Sequence, residues 1–132
     1  ISGGLGSSAA SSVAGAFAVC KLLDKKVSRE ELMLAALAGE SYVAGRHLDN
    51  IAPCVYGGLT IAYSSDPPKV FSLNPEADIW FGLFTPDMLL DTKKSREVLP
   101  ENLKREVWVG QMARCASLTA SYSVRDYHLM LQ

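Results

Sequence analysis

No stretch of the 132 residues runs about 18 apolar residues without a break, so no transmembrane helix is expected. The most apolar segment, Ala9 to Leu23, is interrupted by Ser11 and Ser12 and lacks a basic flank before it, so it does not read as a signal peptide. An excess of charge of either sign is also missing. The formal net charge is −1, so no global basic field points to nucleic acid or to an anionic membrane. Cysteine is sparse: Cys20, Cys54 and Cys115 lie far apart and form no CxxC pair, so neither a zinc site nor a disulfide framework is suggested. Buried thiols in a cytoplasmic protein are the expectation for all three. There is no internal repeat and no low-complexity tract.

What remains is ordinary material for a core. The chain is 48% hydrophobic and 20% charged, which suits one domain or parts of two. It opens on Ile1 inside a glycine-rich stretch and stops at Leu131-Gln132 within a helical pattern. The expectation is a piece of a longer protein.

From Ser7 to Leu23, alanine and leucine favour helix, with Val13, Ala16, Phe17 and Cys20 at helical spacing. The small residues suit close packing against a sheet. Ser28 and Glu31 form a capping-box pattern for a second helix, Arg29 to Val43, whose expected buried face holds Leu32, Leu34, Ala35, Leu37 and Ala38. An irregular GRHLDNIAP follows, in which Pro53 disfavours helix at Ala52. LTIAY, KVFSL and DIWFGLFTP read as strands, the first two separated by the turn SSDPP. A polar helix is expected from Thr92 to Leu99. A long one follows from Glu101 to Tyr122, with Val107, Met112, Ala113 and Leu118 in the core, and another start lies at Asp126 to Leu131. The order of elements suggests an α+β fold with two packed lobes.

The first eleven residues, ISGGLGSSAAS, carry the chemistry. A glycine-rich turn feeding a helix makes an anion site: backbone N–H groups approach closely, and the first helical amides lack partners and sit at the positive end of the macrodipole. Ser7 and Ser8 add hydroxyls that suit a phosphate oxygen or a magnesium ion. A Walker A loop is excluded, because no lysine follows the glycines. Taken alone, the stretch is equally a tight turn with a serine cap.

The string GGLGSSAA resembles the phosphate-binding motif P-x-x-x-G-L-G-S-S-A of the GHMP kinase superfamily, and the proline would stand one residue before Ile1. RHLDNIAP, Arg46 to Pro53, and TKKSREVLP, Thr92 to Pro100, resemble two motifs of the homoserine kinases within it. The resemblance implies a GHMP kinase fold: part of an N-terminal ribosomal-protein-S5-domain-2-like lobe over 1–66 and part of a ferredoxin-like C-terminal lobe over 67–132. It implies ATP as phosphoryl donor, L-homoserine as acceptor, Mg²⁺ as cofactor, a cytoplasmic homodimer as the intact protein, and a place in threonine biosynthesis. It assigns Gly3, Gly4, Leu5, Gly6, Ser7, Ser8 and Ala9 to the nucleotide, and His47, Asp49, Asn50, Thr92 and Arg96 to homoserine. Asp49, Asn50 and Arg96 are the catalytic candidates, and Ser8 and Glu40 the metal ligands.

These residue types fit the chemistry. A planar guanidinium suits the homoserine carboxylate, so Arg96 is the natural clamp. Asp49 can accept from a hydroxyl or an ammonium, and His47 and Asn50 can donate and accept. Each has a plain alternative: a structural histidine, a turn pair at Asp49-Asn50, a solvated Arg96, a Glu40 facing water. The other functional readings are a GHMP kinase for a different small alcohol and a fragment that binds nucleotide without catalysis. The 132 residues alone are expected to be inactive.

Overall fold

The computed structural model describes residues 5–42, 45–76, 78–84 and 97–131. Its elements are α1 (Ser7–Leu22), α2 (Arg29–Glu40), α3 (Ile51–Tyr56), β1 (Leu59–Ser65), β2 (Pro68–Leu73), α4 (Arg105–Val124) and a closing 3₁₀ turn (Tyr127–Leu131). The mixture of helices with a small antiparallel sheet is α+β.

Helix α2 begins as its sequence requires. The Ser28 hydroxyl accepts from the Glu31 amide at 3.1 Å, and the Ser28 amide donates to Glu31 Oε2 at 2.7 Å, a complete capping box. Glu30 and Glu31 add negative charge to the first turn, where the dipole favours it. The helix closes at Glu40, short of the expected Val43. Its buried face is Met33, Ala36, Leu37 and Glu40, at spacings of three and four, not the expected Leu32–Leu34–Ala35–Ala38 set. Only Leu37 is shared, and Leu34 is exposed. Counting apolar residues misplaced the stripe, because a carboxylate belongs to the inner face.

The core lies between α1, α2 and α3. Ala9, Met33, Ala36, Leu37, Leu48 and Ile51 are buried together, with Val13, Ala16, Val55 and Tyr56 packed around them. Among the described residues the small-residue stripe of α1 meets helix α2. Phe17 stands half-exposed beside that stripe, with the Lys21 ammonium 5.3 Å from its ring centre. Ala52 is helical and fully buried, against expectation. Pro53 falls in the first turn of α3, where an absent N–H loses no intrahelical bond.

β1 and β2 form an antiparallel hairpin from Leu59↔Leu73 to Ser65↔Pro68, turning at the cis Asp66–Pro67 bond and bulged between Ala62 and Ser64. Position 66/67, the expected lobe boundary, lies inside this hairpin between its two paired strands. Gly57 and Gly58 lead into β1 with φ of 74° and 66°. The Ser72 hydroxyl donates to the Gly57 carbonyl at 2.8 Å and fastens the hairpin to the end of α3.

Residues 78–84 form no strand, although their side chains favour one. Among the described residues no neighbouring edge pairs with them, and Trp80 and Phe84 are 91% and 95% exposed. Helix α4 starts at Arg105, four residues later than expected, and packs chiefly on the 3₁₀ turn behind it. Among the described residues its Val107, Met112 and Ala113 are exposed and only Leu118, half-buried, has part of the expected inner position. Arg125 Nη2 meets Glu76 Oε1 at 2.6 Å, the Glu76 amide donates to the Tyr127 hydroxyl at 3.1 Å, and the rings of Tyr122 and Tyr127 meet edge to face. Most of the polar helix expected from Thr92 lies outside the described residues. Cys54 and Cys115 are exposed and Cys20 is half-buried, so none of the three thiols is buried as expected. Among the described residues, no helix is long and apolar enough to cross a membrane.

Candidate functional site

Two helix starts face opposite tasks. α2 is closed by its own serine and glutamates. α1 begins at Gly6 with no side-chain cap and no acidic residue in its first turn. Gly6 holds φ 70° and ψ 25°, the left-handed conformation that glycine adopts freely, and this turns the chain abruptly into the helix. The result is a helix N-terminus that no side chain caps among the described residues, an arrangement suited to an anion.

Beneath that start lies Glu40, 5% exposed, at the last turn of α2. A buried carboxylate needs donors. Both come from α1: Ser8 Oγ donates to Glu40 Oε1 at 2.6 Å and Ser12 Oγ to Oε2 at 3.0 Å. Ser8 and Glu40, the expected metal pair, are thus in direct contact. Ser12 was missed by the sequence reading, though the signal was present: it lies one helical turn beyond Ser8, on the same face. A hydroxyl beside a carboxylate is a hard, all-oxygen donor set, which fits Mg²⁺. No group of three or more His, Cys, Asp or Glu residues suited to a metal occurs among the described residues.

The loop between α2 and α3 comes to the same place. Gly45, at φ 98°, turns the chain so tightly that a Cβ there would meet His47 Nε2 at 2.9 Å. Leu48 anchors the loop in the core and Ile51 starts α3 fully buried. Asn50, the N-cap position of α3, lies against the backbone of Gly6. His47 and Asp49 point elsewhere, into a cleft of about 760 Å³ lined also by Arg46, Thr60, Tyr63 and Asp66. The four residues of the HLDN stretch therefore divide: one into the core, one onto the glycine turn, two into the cleft. Arg46 on the wall of that cleft was not singled out from the sequence. Of the other expected site residues, Leu5 is exposed, Ser7 is half-buried and Ala9 is buried against α2. Gly3, Gly4, Thr92 and Arg96 lie outside the described residues.

Residues 1–58 match the family description "GHMP kinases N terminal domain". Over this span the chain is similar to the GHMP kinases. Within that class it resembles the homoserine kinases. It is 39% identical to the homoserine kinase of Haloarcula marismortui, over 98% of this chain and 43% of that protein. It is 34% identical to the homoserine kinase of Methanococcus maripaludis, over 96% of this chain and 42% of that protein. The crystal structure of homoserine kinase from Cytophaga hutchinsonii superposes with a TM-score of 0.84 at 34% identity, covering 98% of this chain and 42% of that one. The chain spans less than half the length of these relatives.

Proposed function

We propose that the intact protein transfers the γ-phosphoryl group of ATP to the hydroxyl of L-homoserine, forming O-phospho-L-homoserine and ADP. The observation that carries this reading is the contact of Asn50 with Gly6. It joins the segment that resembles an acceptor-binding motif to the turn that resembles a phosphate-binding motif.

Phosphoryl transfer asks a protein mainly for positioning and charge stabilisation. The open amides of α1 and the hydroxyls of Ser7 and Ser8 suit the phosphates of the nucleotide. Asn50, beside Gly6, suits orientation of the acceptor hydroxyl towards them. His47 and Asp49 suit the ammonium and hydroxyl, and Thr92 and Arg96 the carboxylate. Ser8 and Glu40 would hold Mg²⁺, which when bound neutralises phosphate charge. Asn50 cannot serve as a base, and Asp49 is the carboxylate nearest in sequence.

In this reading the protein is a cytoplasmic enzyme of threonine biosynthesis, acting as a homodimer without nucleic-acid or membrane partners. Its lobes divide as 1–66 and 67–132. The test is ADP release from Mg²⁺–ATP by the intact protein, with homoserine as acceptor and mevalonate, galactose and serine as controls. Release with homoserine alone is expected. Release with a control and not with homoserine would keep the role of the glycine turn and overturn the acceptor assignment.

A further inference from the structure

We propose that Ser12 is a positioning residue that fixes the Glu40 carboxylate for the cation, a role that rests on the proposed reading of Ser8 and Glu40 as its ligands. The terminal torsion of a glutamate is broad, so burial alone does not set the plane of its carboxylate. Two donors do. Ser8 holds Oε1 at 2.6 Å and Ser12 holds Oε2 at 3.0 Å, and both donors stand on one face of one rigid helix.

The two hydroxyls are not equivalent. Ser8 stands in the first turn of α1, exposed at the open helix start. Ser12 stands four residues deeper, about 6 Å further along the axis, and half-buried. A cation held by Ser8 and Glu40 would compete with the bond between them. Ser12 would go on holding Oε2 and so keep the carboxylate oriented towards the helix start. Groups that orient a ligand in this way commonly govern metal affinity by about 10–100-fold.

The experiment uses the intact protein saturated with a non-hydrolysable ATP analogue and titrated with Mn²⁺, the bound ion being read by electron paramagnetic resonance. Ser12→Ala is expected to weaken Mn²⁺ binding about tenfold or more and to leave the homoserine KM unchanged. Ser12→Thr, which keeps the hydroxyl, is expected to restore the affinity. Ser11→Ala, whose hydroxyl bonds the Ser7 carbonyl instead, is the neutral control. Thermal melting run in parallel separates a folding defect from an ion defect. If Ser12→Ala lowers the melting temperature and leaves Mn²⁺ affinity intact, the proposal is overturned. It is overturned equally if Ser12→Thr fails as Ser12→Ala does. Glu40→Gln isolates the underlying reading. Unchanged Mn²⁺ binding in Glu40→Gln would overturn both the metal site and the role of Ser12. Loss in Glu40→Gln without loss in Ser12→Ala would overturn the role of Ser12 alone.

Discussion

Asn50 packs onto the backbone of Gly6 so closely that a Cβ at residue 6 would stand 2.8 Å from Asn50 Oδ1. Gly6 also sits at φ 70°, where a side chain costs about 1–2 kcal/mol before any clash. Gly6→Ala is therefore expected to distort the turn and push Asn50 away together. In the intact protein the KM for ATP should rise about tenfold or more, and turnover should fall as well because the acceptor segment moves. Steady-state kinetics with ATP and homoserine varied separately will show it. An effect confined to the ATP KM would mean that Asn50 relaxes harmlessly.

Glu40 is buried with a donor on each oxygen. Glu40→Gln preserves its size and removes its charge. Hydrogen bonds to a charged group contribute about 1.5–3 kcal/mol each, roughly twice a neutral one, so the contact between α1 and α2 should weaken. A lower melting temperature and a higher Mg²⁺ requirement are expected together. Calorimetry and a Mg²⁺ titration of activity measure the two separately.

The sequence made the local devices legible and the shared ones obscure. The capping box at Ser28 and Glu31, the glycine turn before α1 and the hairpin strands were all readable, because each is written in residues a few positions apart. The Ser8–Glu40 pairing was foreseen from family resemblance, since nothing local links residues 32 positions apart. The inner face of α2 was misassigned for the same reason. A buried glutamate looks polar until its two serine partners on another helix are known. The strand expected over DIWFGLFTP, of which residues 78–84 are described and form none, and the core expected along α4 diverged for another reason. Their propensities are sound, but strands need edges and apolar stripes need facing surfaces, and propensity specifies neither.

Asp49 is exposed and lines the cleft with His47, while Asn50 is the residue at the glycine turn. This division predicts a mild phenotype for Asp49→Asn. Removing a general base commonly costs about 10²–10⁴ in rate, whereas turnover here should fall by less than about tenfold, with the larger change in the homoserine KM. Kinetics of the intact variant across pH decide it. A loss of the larger size, with the basic limb of the pH profile abolished, would make Asp49 the base.

Glu31 gives the structure a defined pH response. Its carboxyl is held below the usual carboxylate value of 4.5, first by the Ser28 backbone amide and second by the Ser28 hydroxyl. A carboxylate with a lowered folded value stabilises the fold above its unfolded value and loses that contribution as pH falls through the folded one. The start of α2 should therefore fray only below about pH 4.5, beginning at the capping box. A carboxyl titration of Glu31 by NMR, compared with Ser28→Ala, is the measurement. In Ser28→Ala the Glu31 value should rise towards 4.5. An unchanged value would show that the Ser28 backbone amide, which the variant keeps, holds Glu31 without the hydroxyl.

Gly57 and Gly58 provide a paired test of the entry into the hairpin. Both have positive φ, at 74° and 66°. Such conformations cost a non-glycine residue about 1–3 kcal/mol. A Cβ on Gly57 would meet open space, so Gly57→Ala should lose that amount and no more. A Cβ on Gly58 would run into the Leu73 carbonyl and stand 2.7 Å from Asn74 Oδ1. The obstacle there is backbone, and Leu73 is the partner of Leu59 in the first pair of the ladder. Relief requires opening that pair, which also strains the Ser72 bond to the Gly57 carbonyl. Gly58→Ala should therefore destabilise the intact protein clearly more than Gly57→Ala in urea denaturation. Hydrogen exchange should show lost protection at the Leu59 end of the hairpin and retained protection near Ser65. Equal destabilisation by the two variants would mean that the Leu73 strand end yields without cost, and that the conformational preference of glycine alone fixes this turn.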